Sequence, residues 1–147
     1  MKTTLFNKKL INGAKKKIVA KIKKTLFEQD SILFAYLFGS FAENRNFHDI
    51  DIAVFIDETK IANDDFFQLQ LSLASKIDLL IKGYEIDLQC LNNAPLPFRF
   101  QVINKGNLLF SKSESIITAF VAKTRDLYFD FKPHLDFYYQ KIVLEKK

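Results

Sequence analysis

Three aspartates lie where the sequence predicts strands, and their spacing suits a bound cation. Asp49 and Asp51 are one residue apart in "DIDIAVFI", and alternate residues of a strand face the same way, about 7 Å apart along the chain. Asp87 lies on the polar face of a second predicted strand, "YEIDLQCLN". Carboxylate oxygens suit Mg²⁺ or Mn²⁺ and not zinc. If the two strands are neighbours, three carboxylates share one wall, and two cations roughly 4 Å apart neutralise them.

A Gly-Ser pair precedes these carboxylates and suits phosphate binding. Magnesium normally recruits substrate phosphates to complete its coordination, so the expected substrate is a polyphosphate. Gly39 permits close backbone approach, and a short helix beginning at Ser40 would direct free amides at a phosphate tail. Arg45, in the loop "FAENRNFH", is a candidate for reaching phosphate oxygens. Each feature alone is common, and only their combination in this order is specific.

The composition excludes several other classes of protein. Cys90 is the only cysteine, so an internal disulfide and a thiolate zinc cluster are both excluded. The two histidines, His48 and His134, do not suit a histidine-rich metal site. No apolar stretch reaches the roughly 20 residues of a membrane span, and the basic N-terminus lacks the apolar core of a signal peptide. We therefore expect no membrane association and a cytoplasmic location.

The elements that position these residues follow from the hydrophobic periodicity. Apolar residues between lysines predict a helix from about 13 to 29, and "SILFAYLF" predicts a strand buried on both faces. "DIDIAVFI" and "YEIDLQCLN" alternate as half-buried strands do. "NDDFFQLQLSLASKIDLLIKG" predicts a helix with Asn63 or Asp64 as N-cap and Gly83 as its stop. A short helix ending at Gly106, a short strand "NLLF" and one or two helices broken or kinked at Pro133 complete the chain.

This order of elements predicts an α/β (α+β) fold with a mixed β-sheet, not a doubly wound parallel one. We expect helices packed on one face of the sheet and a C-terminal helical extension. The predicted division is a domain over residues 1–111 and an extension over residues 112–147 that packs on the same domain.

Lysines are concentrated at the N-terminus. Residues 1–27 contain nine lysines and no acidic residue, whereas the net charge of the whole chain is +5. This segment suits either attraction of phosphates or RNA, or an ordinary solvated helix face. We favour the solvated face and expect no direct nucleic-acid binding, because the lysines lack interleaved aromatics or arginines.

The motifs together resemble a known family. "LFGSFAENRNFHDIDIAVF" followed by "YEIDLQCLNNAP" is similar to the minimal nucleotidyltransferase (MNT) domain of the DNA polymerase beta superfamily, the antitoxin of MNT–HEPN toxin–antitoxin pairs. The resemblance covers roughly residues 30 to 111. Gly39 and Ser40 match the family's Gly-Ser, Asp49 and Asp51 its metal-binding aspartates, and Asp87 its third carboxylate. The eight-residue loop before Asp49 is shorter than is usual in the family.

The resemblance implies Mg²⁺-dependent nucleotidyl transfer from a nucleoside triphosphate, with ATP as the expected substrate. It implies that Asp49, Asp51 and Asp87 hold two Mg²⁺ ions, with Mn²⁺ as a substitute, and that Asp87 takes the proton of the attacking hydroxyl. The implied acceptor is a tyrosine of a cognate HEPN ribonuclease toxin, which addition of AMP silences. The implied partner is therefore that toxin, in a hetero-oligomer.

Two other functions remain open. The chain is an inactive antitoxin if it neutralises a toxin by binding alone, or a small-molecule transferase if it modifies a compound such as an aminoglycoside. The second alternative is the weaker one, because the C-terminal helices look too small and apolar for a substrate domain. The aromatic run "YFDFKPHLDFYY" is either a partner surface or core packing.

Overall fold

The computed structural model describes residues 2–43 and 49–145, with side chains described over residues 13–43 and 49–144. The elements follow the predicted order, with a short helix at the Gly-Ser pair, as considered above, and one added turn of 3-10 helix (Asn63–Asp65). The strands are β1 (Ile32–Phe38), β2 (Asp49–Ile56), β3 (Glu85–Cys90) and β4 (Asn107–Ser111). The helices are α1 (Lys2–Phe27), α2 (Gly39–Ala42), α3 (Phe66–Leu80), α4 (Leu96–Lys105) and α5 (Glu114–Glu145).

The four strands form one mixed sheet in the order β3-β2-β1-β4. β1 is antiparallel to both β2 and β4, whereas β2 and β3 run parallel. β1 is an inner strand between helical layers, which explains why its residues are apolar on both faces. The predicted α+β fold with a mixed sheet is confirmed.

Each face of the sheet has its own hydrophobic core, so helices cover both faces and the prediction that they pack on one face only is wrong. Ile50, Ile52 and Val54 of β2 point to the face on which α1 and α3 pack. The intervening residues Ala53 and Phe55 point to the opposite face, where α4 and the first half of α5 pack. Asp49 and Asp51 share this second face by the same alternation. The second face is therefore apolar under the helices and acidic at one end.

The ends of the helices differ from the prediction. α1 begins at Lys2 rather than near residue 13. Neither Asn63 nor Asp64 caps α3, which begins after Asp65 without a side-chain cap hydrogen bond. Both lie in the 3-10 turn Asn63–Asp65 that precedes α3, and the side-chain carbonyl of Asn63 accepts a hydrogen bond from the Asn93 amide. α3 ends at Leu80, and Gly83 lies in the following turn at φ +100°.

Pro133 does not end the last helix. α5 continues through it, although proline lacks the N–H that would bond to the preceding turn. The first half of α5 is anchored by Phe120, whose ring lies 5.3 Å from the rings of both Phe34 and Phe55. The second half, from Phe129 to Leu144, is exposed except at two half-buried positions. Among the described helices, none combines the length and apolar character needed to cross a membrane.

Candidate active site

The parallel pairing of β2 and β3 brings the predicted carboxylates together. Asp51 lies directly opposite Asp87, and Asp49 lies opposite Glu85. All four side chains lie on the second face of the sheet, because residues paired directly across two strands point to the same face. The sequence predicted that the carboxylates share one wall only if these two strands are neighbours. The structure shows that they are.

The central pair of carboxylates interacts electrostatically. The Asp51 carboxyl is half-buried and lies opposite Asp87. The pKa of Asp51 is raised to about 6, mainly by burial, then by the negative charges of Asp87 and Asp49, and least by a hydrogen bond with Asp87. One proton between two carboxylates reduces the repulsion that two bare charges would produce. A cation bound in this place would do the same.

The donor set fits magnesium. Within residues 13–43 and 49–144, no three acidic, histidine or cysteine side chains are grouped closely enough to form a complete metal cage. Asp51 and Asp87 nevertheless offer oxygen donors at hydrogen-bonding range, with Asp49 on the same strand face. Magnesium is typically held by one or two carboxylates, with phosphates and waters completing its shell. The arrangement therefore fits a cation that binds together with a phosphorylated substrate.

Gly39 lies against Asp51. It follows β1 with a left-handed φ of +77°, a conformation that favours glycine. A Cβ atom built on Gly39 would clash with Oδ2 of Asp51. Ser40 follows within α2, which begins at Gly39, one residue before the start that the sequence suggested. Gly39, Asp51 and Asp87 are thus brought together, whereas Arg45 lies outside the described residues.

Lys15 of α1 holds α2 in place. Its Nζ donates to the carbonyl oxygen of Phe41 at 2.7 Å and to that of Ala42 at 3.5 Å. It also lies 5.0 Å from the centre of the Phe41 ring, and burial lowers its pKa. One lysine of the basic N-terminal segment therefore supports the Gly-Ser helix, a role that lysine periodicity alone did not reveal.

Two amide side chains that the sequence analysis did not single out fix β3. Gln89 donates through Nε2 to Oδ1 of Asp87 at 2.8 Å. Asn92 pairs with the backbone of Ile56 in both directions, each bond 2.8 Å long. In the sequence, only one feature indicates the contact between Gln89 and Asp87: Gln89 follows Asp87 by two residues and so lies on the same strand face.

Comparison with known proteins gives a consistent result. Residues 20–115 match the family described as "Polymerase beta, Nucleotidyltransferase". No curated protein matches the chain significantly.

Several solved toxin–antitoxin complexes contain a similar chain. One is the tri-AMPylated Shewanella oneidensis HEPN toxin in complex with MNT antitoxin, with 29% identity over 89% of this chain and 97% of the other and a TM-score of 0.60. Another is a toxin–antitoxin with AMP-PNP, with 29% identity over 86% and 96% of the two chains and a TM-score of 0.61. A third is the MntA–HepT pair, with 28% identity, coverage of 88% and 97%, and a TM-score of 0.58.

Proposed function

Because this chain belongs to the polymerase beta nucleotidyltransferase family, we propose that it is an antitoxin that transfers AMP from ATP to a tyrosine of a HEPN-type ribonuclease toxin. The observation that carries the proposal is the juxtaposition of Asp51, Asp87 and Gly39, which places cation ligands directly beside the Gly-Ser turn. The AMPylated toxin and the AMP-PNP complex among its structural neighbours support the same chemistry.

We assign the site residues as follows. Asp49, Asp51 and Asp87 would hold Mg²⁺, and Gly39 and Ser40 would receive the triphosphate. Bound magnesium supplies charge neutralisation for the triphosphate and the leaving pyrophosphate. Arg45 is proposed as an additional phosphate ligand, on its sequence position alone.

The chain's own groups perform the remaining tasks. Asp87 takes the proton of the attacking hydroxyl, whose oxygen forms a bond to the α-phosphorus while the bond to the β-phosphate breaks. Gln89 orients Asp87 through its 2.8 Å hydrogen bond. Lys15 keeps α2 and its Gly-Ser start in position from outside the site.

The second half of α5 is proposed as the surface that binds the toxin. Tyr128 packs on α4 by stacking on Phe100, with ring centres 3.8 Å apart. Beyond it Phe137, Tyr138 and Tyr139 are 69%, 59% and 57% exposed. Core packing was the alternative for this aromatic run, and exposure of this extent argues against it. Exposed aromatic side chains on a helix suit the hetero-oligomer expected of an antitoxin. The cytoplasm is the proposed location, where the free thiol of Cys90 stays reduced.

A second candidate function is neutralisation by binding alone. The exposed half of α5 favours it, because a helix surface can cover a toxin without any chemistry at the aspartates.

One labelling experiment separates the two functions. The chain is incubated with the neighbouring HEPN protein, Mg²⁺ and ATP labelled at the α-phosphate. We expect label on the toxin with the wild type and none with Asp51→Asn, while both proteins still bind the toxin. Equal labelling by both proteins would refute the catalytic assignment, and neutralisation without label would establish the binding function.

A further inference from the structure

A groove runs along the free edge of the sheet beside the carboxylates. Its volume is about 640 Å³, and it lies between the start of α3 and the segment from the end of β3 to the start of α4. We call it the edge groove. Its walls combine three phenylalanines with amide side chains. The residues used below are Phe66, Phe67, Gln70, Gln89, Asn93 and Phe98.

The edge groove adjoins the carboxylates at two points. Gln89 lines the groove and also donates to Asp87. Phe98 lines it and packs edge-on against Phe38, with ring centres 5.5 Å apart, and Phe38 is the β1 partner of Asp51. A molecule in the groove therefore lies beside Asp87, at the edge of the sheet that β3 forms.

Gly39 and Asp87 lie on opposite sides of Asp51. Gly39 approaches Asp51 from α2, the link between β1 and β2. Asp87 flanks Asp51 from β3, one strand farther toward the edge. In an in-line displacement, the attacking and leaving oxygens lie on opposite sides of the phosphorus atom. If the pyrophosphate leaves toward Gly39, the attacking oxygen arrives from the side of Asp87.

We propose that the edge groove holds the acceptor, an aromatic phenol side chain presented by the partner polypeptide; this assignment rests on the proposed function. The phenol oxygen bonds to the α-phosphorus, its proton passes to Asp87, and pyrophosphate leaves with the electrons of the broken bond. The ring would pack against Phe67 and Phe98, which provide aromatic surface of matching character; Phe66 also lines the groove but is only 5% exposed.

The amide side chains of the groove suit a polypeptide acceptor. Gln70 already satisfies an edge carbonyl of β3, donating to the oxygen of Leu88 at 2.7 Å. Asn93 donates to Asn63 across one end of the groove. Side chains of this type hydrogen-bond both to phenols and to the backbone of a bound segment. The groove thus offers an apolar seat for the ring and polar groups for the flanking chain.

Steady-state AMP transfer to the purified HEPN toxin tests the assignment. Phe67 is 65% exposed, so Phe67→Ala removes a groove wall with little effect on folding. We expect it to raise the KM for the toxin about tenfold, while the affinity for AMP-PNP stays within about twofold of wild type. Phe67→Tyr is expected to restore the KM. Leu79→Ala, on the same helix and 75% exposed, is the matched control and should change neither quantity.

The other outcomes refute the assignment. A weaker affinity for AMP-PNP with an unchanged KM would mean that the groove holds the nucleotide base. Wild-type values for both quantities in Phe67→Ala would mean that the acceptor binds elsewhere. Absence of AMP transfer by the wild type would refute the proposed function itself, and the groove assignment with it. The two outcomes above would refute the groove assignment alone.

Discussion

The α-carbon of Gly39 lies so close to Asp51 that a carboxylate oxygen of Asp51 occupies the place of a methyl group on Gly39. A side chain at this position would need both a left-handed backbone and a displaced carboxylate. We therefore expect Gly39→Ala to reduce the free energy of unfolding by about 2 kcal/mol. AMP transfer should fall about a hundredfold, because Asp51 is moved. Urea denaturation and a transfer assay measure the two effects.

Gly83 provides the control for Gly39→Ala. Its φ is also positive, at +100°, but no atom lies within 4 Å of a Cβ built there. Gly83→Ala should therefore be destabilised by about 1–2 kcal/mol and retain wild-type transfer activity. Equal loss of activity in both variants would mean that the contact with Asp51 is not what requires glycine at position 39.

Asp51 makes stability depend on pH. Its pKa is raised from 3.8 to about 6 in the folded protein, so the folded state binds a proton more tightly than the unfolded state does. The stability from that proton is complete below about pH 4 and is lost as the pH rises through 6. Asp51→Asn stays neutral, so above pH 6 it should be more stable than wild type by about 1 kcal/mol, after allowance for solvent screening at a half-buried site. Urea denaturation from pH 4 to 8 with EDTA present measures the difference.

Asp78→Asn is the control for this dependence on pH. Asp78 is exposed on α3 and is not among the charges that raise the pKa of Asp51, so Asp78→Asn should not give the gain in stability above pH 6. The interpretation of Asp51 is wrong if Asp51→Asn and wild type are equally stable at pH 7.5 without divalent cations.

A divalent cation should offset the electrostatic repulsion between Asp51 and Asp87 and so stabilise the folded protein. Ligands that bind only the folded state raise its stability by mass action. We expect Mg²⁺ with AMP-PNP to raise the Tm of the wild type by about 3 °C. Differential scanning fluorimetry should show most of this shift lost on addition of EDTA and in Asp87→Asn. A shift that persists in Asp87→Asn would mean that Asp87 is not a metal ligand.

Thr124 of α5 is a buried polar group whose loss should be favourable. It is 1% exposed, and its hydroxyl has no hydrogen-bond partner among the described residues. Replacement by the similarly shaped Val removes the unsatisfied group, and should stabilise the protein by about 1 kcal/mol. Thr25, also buried, donates to the carbonyl oxygen of Lys21 at 2.8 Å, so Thr25→Val should be neutral or destabilising. Equal effects of the two substitutions in urea denaturation would contradict this explanation.

Deletion of residues 133–147 separates partner binding from folding. The described side chains of this segment are exposed except Leu135 and Ile142, so the truncated chain should keep its Tm within about 2 °C. Binding of the HEPN toxin in isothermal titration calorimetry should fall at least about tenfold, since exposed aromatics anchor interfaces. Misfolding of the truncated chain would show that the segment is part of the core. Lys141→Ala, at an exposed position of the same helix, controls for removal of a charge.

Local pattern was sufficient to predict the strands and the order of elements. β2 was predicted at its observed ends, because "DIDIAVFI" alternates strictly and one face of it is buried. The convergence of Asp51 and Asp87 followed only on the condition that their strands pair, because pairing is a long-range choice. The Gly-Ser pair suggested a short helix from Ser40, and α2 begins one residue earlier, at Gly39, whose left-handed backbone favours glycine.

Side-chain contacts between distant elements account for what was missed. Asn63 is a residue type that often caps helices, but its side-chain carbonyl accepts a hydrogen bond from Asn93, which lies in another loop. Lys15 is one of many lysines in α1, and only the packing of α1 beside α2 distinguishes it. Gln89 and Asn92 act through single hydrogen bonds that no periodicity encodes. Arg45 stays a prediction.

The sheet order implies a sequence of folding events. β1, α2 and β2 follow one another along the chain, so Gly39 meets Asp51 through a local antiparallel pair. Asp87 reaches Asp51 only when the crossover through α3 has closed a parallel pair, which has a larger loop-closure entropy. We expect pulse-labelled hydrogen exchange to show protection between β1 and β2 before protection between β2 and β3. Substitutions that slow closure of the crossover would then delay the appearance of activity in newly made chains without altering the finished site.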